Sequence, residues 1–294
     1  MSIYIQYIID AITVGGLYAL AALGIGLIFG IMRLINFAHG EFIMVGGYSL
    51  LLLLGAWTPV AVLTMCLVII LLAVATERIA FRPVRGSDPA TMLVTSFALS
   101  FFLQHLFVLL FGARPKGIDI APKLMEYVVF GGLRFPKLHI VTVVVTGGLL
   151  LGLALFLKRT DFGIQMRAAA EDFKMARVLG VRANLVIAAA FAISGLLAAS
   201  VSVLFVAQTG TLSPRMGVQL VLVAFVSTIV GGMGSLVGAV LGGFFVGALT
   251  VALQALLPAN IRPFWEAFVF VIIILVLLWR PQGLLRVRAV QERI

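Results

Sequence analysis

Long apolar runs separated by short polar or charged stretches dominate the pattern of the chain. A helix that crosses a membrane needs about 20 predominantly apolar residues to cover a hydrocarbon core of about 30 Å. Candidate runs cover approximately residues 3–32, 39–56, 58–80, 89–112, 138–158, 184–207, 216–232, 234–257 and 264–280. The runs 39–56 and 216–232 are marginal, so either could enter the membrane and turn back. The pattern predicts an all-α integral membrane protein with about nine, and between eight and ten, transmembrane helices.

The composition agrees with this prediction. Of the 294 residues, 63% are hydrophobic and only 11% are charged, so the lipid bilayer must be the main solvent of the chain. The formal net charge is +10, but the basic residues form short clusters between apolar runs, and we therefore expect no nucleic-acid partner. The N-terminus has no basic residue before its apolar run and carries Asp10, which argues against a cleavable signal. We treat residues 1–294 as a single membrane domain.

The distribution of Lys and Arg predicts the orientation of the spans, because cytoplasmic loops are enriched in these residues. With the N-terminus outside and the C-terminus cytoplasmic, 14 of the 21 basic residues fall inside. These are Arg33, Arg78, Arg82, Arg85, Lys158, Arg159, Arg167, Lys174, Arg177, Arg182, Arg280, Arg286, Arg288 and Arg293. The longest outer loop is then 113–137, and the loop 159–183 is cytoplasmic.

A polar island interrupts the apolar pattern between Lys158 and Arg182. The stretch from Gln165 to Leu179 lacks Gly and Pro and is rich in alanine, which favours a helix that Gly180 is well placed to end. An apolar stripe at spacings of three and four is formed by Met166, Ala169, Ala170, Phe173 and Ala176. The pattern predicts one short amphipathic helix, which could lie on lipid headgroups or dock into a groove of another protein.

Three stretches of the sequence carry a resemblance to a known family. "KMARVLG", residues 174 to 180, resembles the E-A-A-x-x-x-G element of ABC-importer permeases: Ala176 and Gly180 match, whereas Lys174 replaces the acidic residue and Met175 the first alanine. "GLYALAALGIGLIFGIMRLINFAHGEFIMVGGY", residues 16 to 48, and "GGMGSLVGAVLGGFFVG", residues 231 to 247, resemble the H-type permease subunit of the branched-chain amino-acid ABC importers. With "RAAAEDFKMARVLGV", the resemblance extends from end to end of the chain.

The resemblance implies a multi-pass permease subunit in a bacterial inner membrane. It implies as partners two ATP-binding subunits, a second and related permease that completes a heterodimer, and an extracytoplasmic substrate-binding protein. The cytoplasmic helix would then couple to the ATPase through Glu171, Asp172, Lys174, Ala176, Arg177 and Gly180. The implied solutes are leucine, isoleucine and valine, although relatives also serve amides, urea and other small organic solutes. A stand-alone secondary transporter is the less favoured alternative.

The chemistry of the chain is that of a transport pathway rather than of an enzyme. The sequence contains no G-x-x-x-x-G-K-[ST] stretch, so we expect no cofactor on this chain and expect the partner subunits to bind ATP and Mg²⁺. No paired nucleophile and base and no metal-ligand cluster are apparent, and we expect neither catalytic residues nor a metal site.

Several polar residues interrupt the apolar runs. In "INFAHGEF", residues 35 to 42, Asn36, His39 and Glu41 form either a capped turn between helices or the cytoplasmic end of the pathway. Gln104 either lines the pathway or hydrogen-bonds between helices. Asp10 lies near the end of a run, where snorkelling is the ordinary explanation.

Glycines recur at four-residue intervals near the C-terminal end of the sequence. One row consists of Gly234, Gly238 and Gly242, and a second of Gly243 and Gly247. Such rows allow helices to approach closely in lipid. The alternative is that the glycines between 231 and 234 break the helix and let its two halves shift during transport.

Overall fold

The computed structural model describes residues 2–130 and 133–285. Arg286, Arg288 and Arg293, which the sequence places on the inner side, lie outside this range. Within it, the α-helices are α1 (Ser2–Met32), α2 (His39–Leu52), α3 (Thr58–Thr76), α4 (Pro89–Phe111), α5 (Lys137–Arg159), α6 (Asp161–Glu171), α7 (Phe173–Val178), α8 (Ala183–Thr209), α9 (Met216–Gly231), α10 (Leu236–Leu256) and α11 (Trp265–Trp279). A π-helical turn at Glu77–Phe81 continues α3, and a 3-10 turn at Arg262–Phe264 precedes α11.

Seven of the described helices are long and apolar enough to cross a membrane. They lie at Tyr4–Met32, Thr58–Phe81, Pro89–Phe111, Lys137–Arg159, Ala183–Thr209, Leu236–Leu256 and Arg262–Trp279. The chain is therefore a multi-pass membrane protein. The two remaining apolar helices, α2 with 14 residues and α9 with 16, are the runs that the sequence marks as marginal. At a rise of 1.5 Å per residue both are shorter than the hydrocarbon core.

Short strands make the all-α prediction incomplete. Strand β1 (Lys116–Gly117) pairs antiparallel with β4 (Thr211–Leu212), and β2 (Tyr127–Phe130) pairs antiparallel with β3 (Leu133–Pro136). β1, β2 and β3 lie in the predicted loop 113–137, which is thus partly ordered as a hairpin. A search for apolar runs of about 20 residues does not detect strands of two to four residues.

Helix α1 lies at the centre of the bundle and packs against α10, α8, α9 and α5. Helix α2 also lies in the interior, since His39 at its start contacts Gly24 of α1. Gly24 is roughly 12 Å from the end of α1 at Met32, given the helical rise. The chain after α1 therefore turns back into the bundle before α2 begins, and α2 spans only part of the membrane.

Candidate functional site

The polar island forms two helices rather than the one predicted. Thr160 caps α6 by accepting a hydrogen bond from the Gly163 amide (2.9 Å), and α6 ends at Glu171. Asp172 has an extended backbone, with φ −145° and ψ 101°, and its Oδ1 accepts from the Met175 amide (2.9 Å) to cap α7. The single-helix prediction was wrong because an Asp whose side chain hydrogen-bonds the following amides favours a helix start over a helix interior. We call residues 160–180 the α6–α7 segment.

The apolar stripe of this segment packs against the chain itself. Met166, Ala169 and Ala176 are at most 3% exposed, because α6 packs against α1, α5 and α8, and α7 packs against α8. The sequence suggested that the stripe faces either lipid headgroups or a groove in another protein. The structure shows instead that it packs against other helices of the same chain. Its three alanines let the segment lie close against the ends of α1, α5 and α8.

The opposite face of α7 is exposed and partly apolar. Met175, Val178 and Leu179 are 55%, 80% and 77% exposed, Arg177 is exposed as well, and the side chain of Lys174 lies outside the described part. Sequence reasoning missed these three residues because the search followed the stripe. The sequence does indicate them in one place: the apolar pair Val178 and Leu179 stands directly before the helix-ending glycine and does not belong to the stripe.

Gly180 ends the segment with φ +88°, and no other atom lies within 4 Å of the position that a Cβ would occupy. Glycine is needed here for its backbone conformation rather than for space. The Val181 amide donates to the Ala176 carbonyl (3.0 Å), which closes the end of α7. This geometry agrees with the predicted helix stop.

Glu171 and Asp172, which the sequence groups together, occupy different environments. Asp172 is engaged as the cap of α7. Glu171 instead lines a cavity of about 600 Å³ between the end of α1, α6 and the turn before α10, together with Arg33 and Arg167. Of the two acids, Glu171 has the freer carboxylate among the described contacts, since no hydrogen bond or ion pair to it is formed by a described side chain.

Asn36, His39 and Glu41 form a buried polar cluster at the start of α2. All three are 0% exposed. Ser100 Oγ of α4 donates to Glu41 Oε1 (2.9 Å), and Ser194 Oγ of α8 lies 3.0 Å from His39 Nδ1. The cluster thus ties α2 to α4 and α8. It lies in the interior, and none of the three side chains faces an open pathway in this conformation.

The expected capped turn is present in a modified form. Ala38 rather than Asn36 occupies the N-cap position of α2, and Asn36 Oδ1 accepts from the Ala38 amide (3.1 Å). Glu41 lies in the first helical turn, as expected. Among the described atoms, Asn36 Nδ2, His39 Nε2 and Glu41 Oε2 are buried without a hydrogen-bond partner. A buried cluster with unused donors and acceptors is costly to maintain.

The remaining sequence candidates are placed as follows. Gln104 is half-buried on α4 and forms no hydrogen bond with a described side chain, so the hydrogen-bonded alternative has no described partner. Gly238 and Gly242 lie against α9, at Gly231 and Ser227. Gly243 and Gly247 lie against the backbone of α1. Gly234 is not part of a helical row, because it has φ +93° in the turn that separates α9 from α10.

A convergent polar cavity lies at the opposite end of the bundle, on the side of the β2–β3 hairpin. We call it the hairpin-side cavity; it measures about 480 Å³. Its polar side chains come from α1, α5, α8, α10 and the turn before α11, and they are Tyr7, Asp10, Thr13, His139, Gln208, Gln254 and Arg262. Val14, Val251 and Ala255 provide an apolar wall.

Charges of opposite sign share this cavity. Asp10 Oδ1 lies 3.5 Å from His139 Nδ1, and Arg262 donates to the Leu257 carbonyl (3.3 and 3.4 Å). Snorkelling alone does not explain Asp10, because it is half-buried beside His139 and not directed simply to water. The sequence gives only a weak signal for this site, since its polar members come from five separate elements of the chain and form no contiguous motif.

The described residues contain no group of three or more His, Cys, Asp or Glu side chains placed to hold a metal ion. The polar side chains at the two ends of the bundle can bind charged or zwitterionic ligands. One face of the α6–α7 segment is packed on the spans, and the opposite face of α7 is exposed.

Comparisons with known proteins cover nearly the whole chain. Residues 7–278 match the family described as branched-chain amino acid transport system / permease component. The high-affinity branched-chain amino acid transport system permease protein BraD of Pseudomonas aeruginosa is 35% identical over 96% of this chain and 95% of that protein. The corresponding protein LivH of Escherichia coli K12 is 33% identical, again over 96% and 95%.

More distant similarities are also present. The probable branched-chain amino acid transport permease protein LivH of Methanocaldococcus jannaschii is 25% identical over 93% of this chain and 90% of that protein. The solved structure of PsaBC from Streptococcus pneumoniae in complex with Fab has a TM-score of 0.48 and 14% identity over 92% of this chain and 91% of that one, a level that establishes neither fold nor function. The family match and the identities above 30% confirm the resemblance seen in the sequence, and this chain belongs to the branched-chain amino acid transport system permease family.

Proposed function

We propose that this chain is one of two related permease subunits of an ABC importer in a bacterial inner membrane, and that it forms half of the pathway for leucine, isoleucine and valine. Two separate subunits would bind ATP and Mg²⁺, and an extracytoplasmic protein would deliver the solute. The proposal is supported by the family match over residues 7–278 and by relatives named as permeases of high-affinity branched-chain amino acid transport systems.

The orientation in this proposal has the N-terminus outside. Two thirds of the Lys and Arg residues then lie on the cytoplasmic side, as the positive-inside rule requires. The α6–α7 segment is cytoplasmic in this orientation, and the hairpin-side cavity opens towards the delivering protein.

The observation that carries the choice of solute is the presence of an acidic side chain, Asp10, and a basic side chain, Arg262, in the same hairpin-side cavity. An amino acid carries an ammonium group, a carboxylate and, in this class, an aliphatic side chain. Asp10 is suited to the ammonium group, Arg262 to the carboxylate, and the wall that includes Val251 to the aliphatic chain. Amides and urea are neutral and cannot form ion pairs with two oppositely charged side chains, so the cavity favours an amino acid over those alternatives.

In the coupling step, the ATPase would contact the exposed face of α7. We assign this contact to Arg177, Lys174 and the loop at Gly180. We add Met175 and Val178, which are exposed on α7, and Leu179, which is exposed directly after it. Ala176 acts from the other face by packing the segment on α8. Asp172 contributes by starting α7, and Glu171 lies at the edge of the contact.

The solute assignment is tested by uptake into proteoliposomes at saturating loaded binding protein. Asp10→Asn and Arg262→Gln should each lower the initial rate of leucine uptake roughly tenfold or more, because a hydrogen bond to a charged group contributes about 1.5–3 kcal/mol. Arg262→Lys should recover part of the rate. Asp119→Asn and Arg215→Gln, exposed residues outside the cavity, are the matched controls. Equal rates in all variants would remove the cavity from the pathway.

The coupling assignment is tested at Gly180. Gly180→Val should separate ATP hydrolysis from uptake, because a β-branched residue does not adopt φ +88° without strain and the end of α7 must move. Gly180→Asn should be much milder, since Asn tolerates this conformation. Normal uptake per ATP in the Val variant would contradict a coupling role.

A further inference from the structure

Four arginines converge on a second cavity at the α6–α7 end of the bundle. Arg78 lies in the π-helical turn that continues α3, Arg82 follows that turn directly, Arg177 belongs to α7, and Arg182 precedes α8. We call this space of about 590 Å³ the arginine cavity. Three separate parts of the chain therefore bring like charges together, and an anion bound among them would offset their mutual repulsion.

The acidic residue that lines the arginine cavity, Glu77, already has an ion-pair partner. Glu77 is 2% exposed and forms an ion pair with Arg85, which also donates to Asn184 Oδ1 (2.7 Å). The π-helical turn that begins at Glu77 directs this carboxylate inward while Arg78 and Arg82 stay exposed. Within the described residues, Arg78, Arg82, Arg177 and Arg182 form neither a side-chain hydrogen bond nor an ion pair. The cavity thus retains a large positive charge.

The cavity also has an apolar side that faces the membrane. Leu185 and Ala188, one turn apart on α8, line it, and Leu185 is 52% exposed. Ile79, next to Arg78, is 77% exposed. Since one spanning helix ends at Phe81 and another begins at Ala183, the arginines lie at the level of the membrane surface and the apolar wall runs from there into the bilayer.

We propose that the arginine cavity binds the phosphate headgroup of an anionic glycerophospholipid, with an acyl chain along Leu185 and Ala188. Guanidinium groups bind phosphate oxygens through paired hydrogen bonds, and basic pockets between spans at the cytoplasmic surface are suited to anionic headgroups. A soluble anion would use the four charges but would leave the apolar wall without a partner. The lipid satisfies both parts of the cavity.

This proposal goes beyond the import function, because the transported solute takes no part in the binding; Arg177 is shared with the ATPase contact proposed above. The arginine cavity touches the α6–α7 segment through Arg177. A bound lipid would join α7 to the end of α3 and restrict the movement of the segment. We therefore expect the lipid to stabilise one position of α7.

The test is native mass spectrometry of the full chain with its co-purified partners, in neutral detergent with added phosphatidylglycerol or phosphatidylcholine. Phosphatidylglycerol should be retained preferentially. Arg78→Gln with Arg82→Gln should lower that preference roughly fivefold for each arginine removed, from a contribution of about 1 kcal/mol per basic residue near an anionic surface. Arg114→Gln with Arg215→Gln removes the same charge elsewhere and should leave the preference unchanged. Gel filtration reports whether each variant remains monodisperse.

Four outcomes would overturn the proposal. Equal retention of the two lipids shows that the cavity does not select an anion, and equal losses in both variant pairs show that only the total charge matters. Inorganic phosphate that raises the thermal stability as much as phosphatidylglycerol does assigns the cavity to a free anion. Loss of the ATPase from the Arg78/Arg82 variant with unchanged lipid retention assigns the arginines to the ATPase instead. Uptake measured on the same preparations tests the import function independently.

Discussion

Helices α1 and α4 are both apolar enough to cross a membrane, yet they occupy opposite environments. In α1, 78% of the most apolar stretch is buried inside the protein, against 17% in α4. Helix α1 packs against four other spanning or half-spanning helices, whereas α4 contacts mainly α2 and the π-helical turn after α3. Hydrophobicity therefore does not decide which helix forms the centre of this bundle.

The difference lies in the size of the side chains. Helix α1 contains five glycines and α4 contains none, while α4 carries five phenylalanines. In lipid, a helix gains little from burying apolar surface and much from close packing, so helices with small residues associate. The contact of α1 with Gly243 and Gly247 of α10 is backbone to backbone. Large side chains on α4 leave a face for lipid or for a second permease chain.

The largest effect should follow a substitution at this backbone contact. A side chain at Gly243 would meet the backbone of Tyr18 and Ala19, which cannot yield as a flexible side chain can. Gly243→Leu should therefore prevent recovery of folded, monodisperse protein in detergent. Gly148→Leu in α5, where no atom lies within 4 Å, should be recovered normally. If both variants behave alike, close packing does not hold α1 in the centre.

A matched pair of leucines gives the next largest effect. Leu20 of α1 is fully buried, and Leu109 of α4 is 83% exposed. Leu20→Ala should lower the free energy of unfolding by about 3 kcal/mol, because it leaves a cavity, and Leu109→Ala should change it by no more than about 0.5 kcal/mol. Thermal and denaturant unfolding in detergent measure both. A large loss for Leu109→Ala would show that α4 is covered by another chain in the purified state.

The smallest effect should come from the polar link between α4 and the interior. Ser100→Ala removes the donor to Glu41 Oε1 and should cost about 1–2 kcal/mol, since it leaves a second buried oxygen of the same carboxyl group without a partner. Ser96→Ala is the control, because Ser96 donates only within its own helix, to the Leu93 carbonyl. Equal unfolding midpoints for the two variants would show that α4 does not depend on α2.

Much of the spanning structure was predictable from the sequence. The predicted runs 89–112 and 138–158 differ from α4 and α5 by at most one residue at each end, because the bilayer sets the length of an apolar helix. The two runs marked as marginal are the two short helices, for the same reason. Strands β1 to β4 were missed. The two-residue strands β1 and β4 pair only because distant segments meet, and β2 and β3, with four residues each, are too short to be detected as apolar runs of about 20 residues.

A feature of the candidate site was predictable only where the residues that produce it lie in one short stretch of the sequence. Gly180 was expected to end a helix and does so. The end of this helix requires a residue with positive φ, and glycine at that position shows the requirement directly in the sequence. The break at Asp172 was also local, and the alanine-rich composition around it concealed the capping signal. The hairpin-side cavity and the arginine cavity each combine residues from several helices, and no single stretch of the sequence indicates either of them.

The sequence by itself determined that this chain belongs in a membrane, where most of its helices begin and end, and which family it belongs to, because apolar length and motif residues are properties of contiguous stretches. The tertiary structure alone decided that α1 is central and α4 peripheral, that the stripe of the α6–α7 segment faces inward, and that Asp10 and Arg262 share a cavity. These depend on which helices pack together, and in lipid that choice follows from the fit of surfaces between distant segments rather than from hydrophobicity.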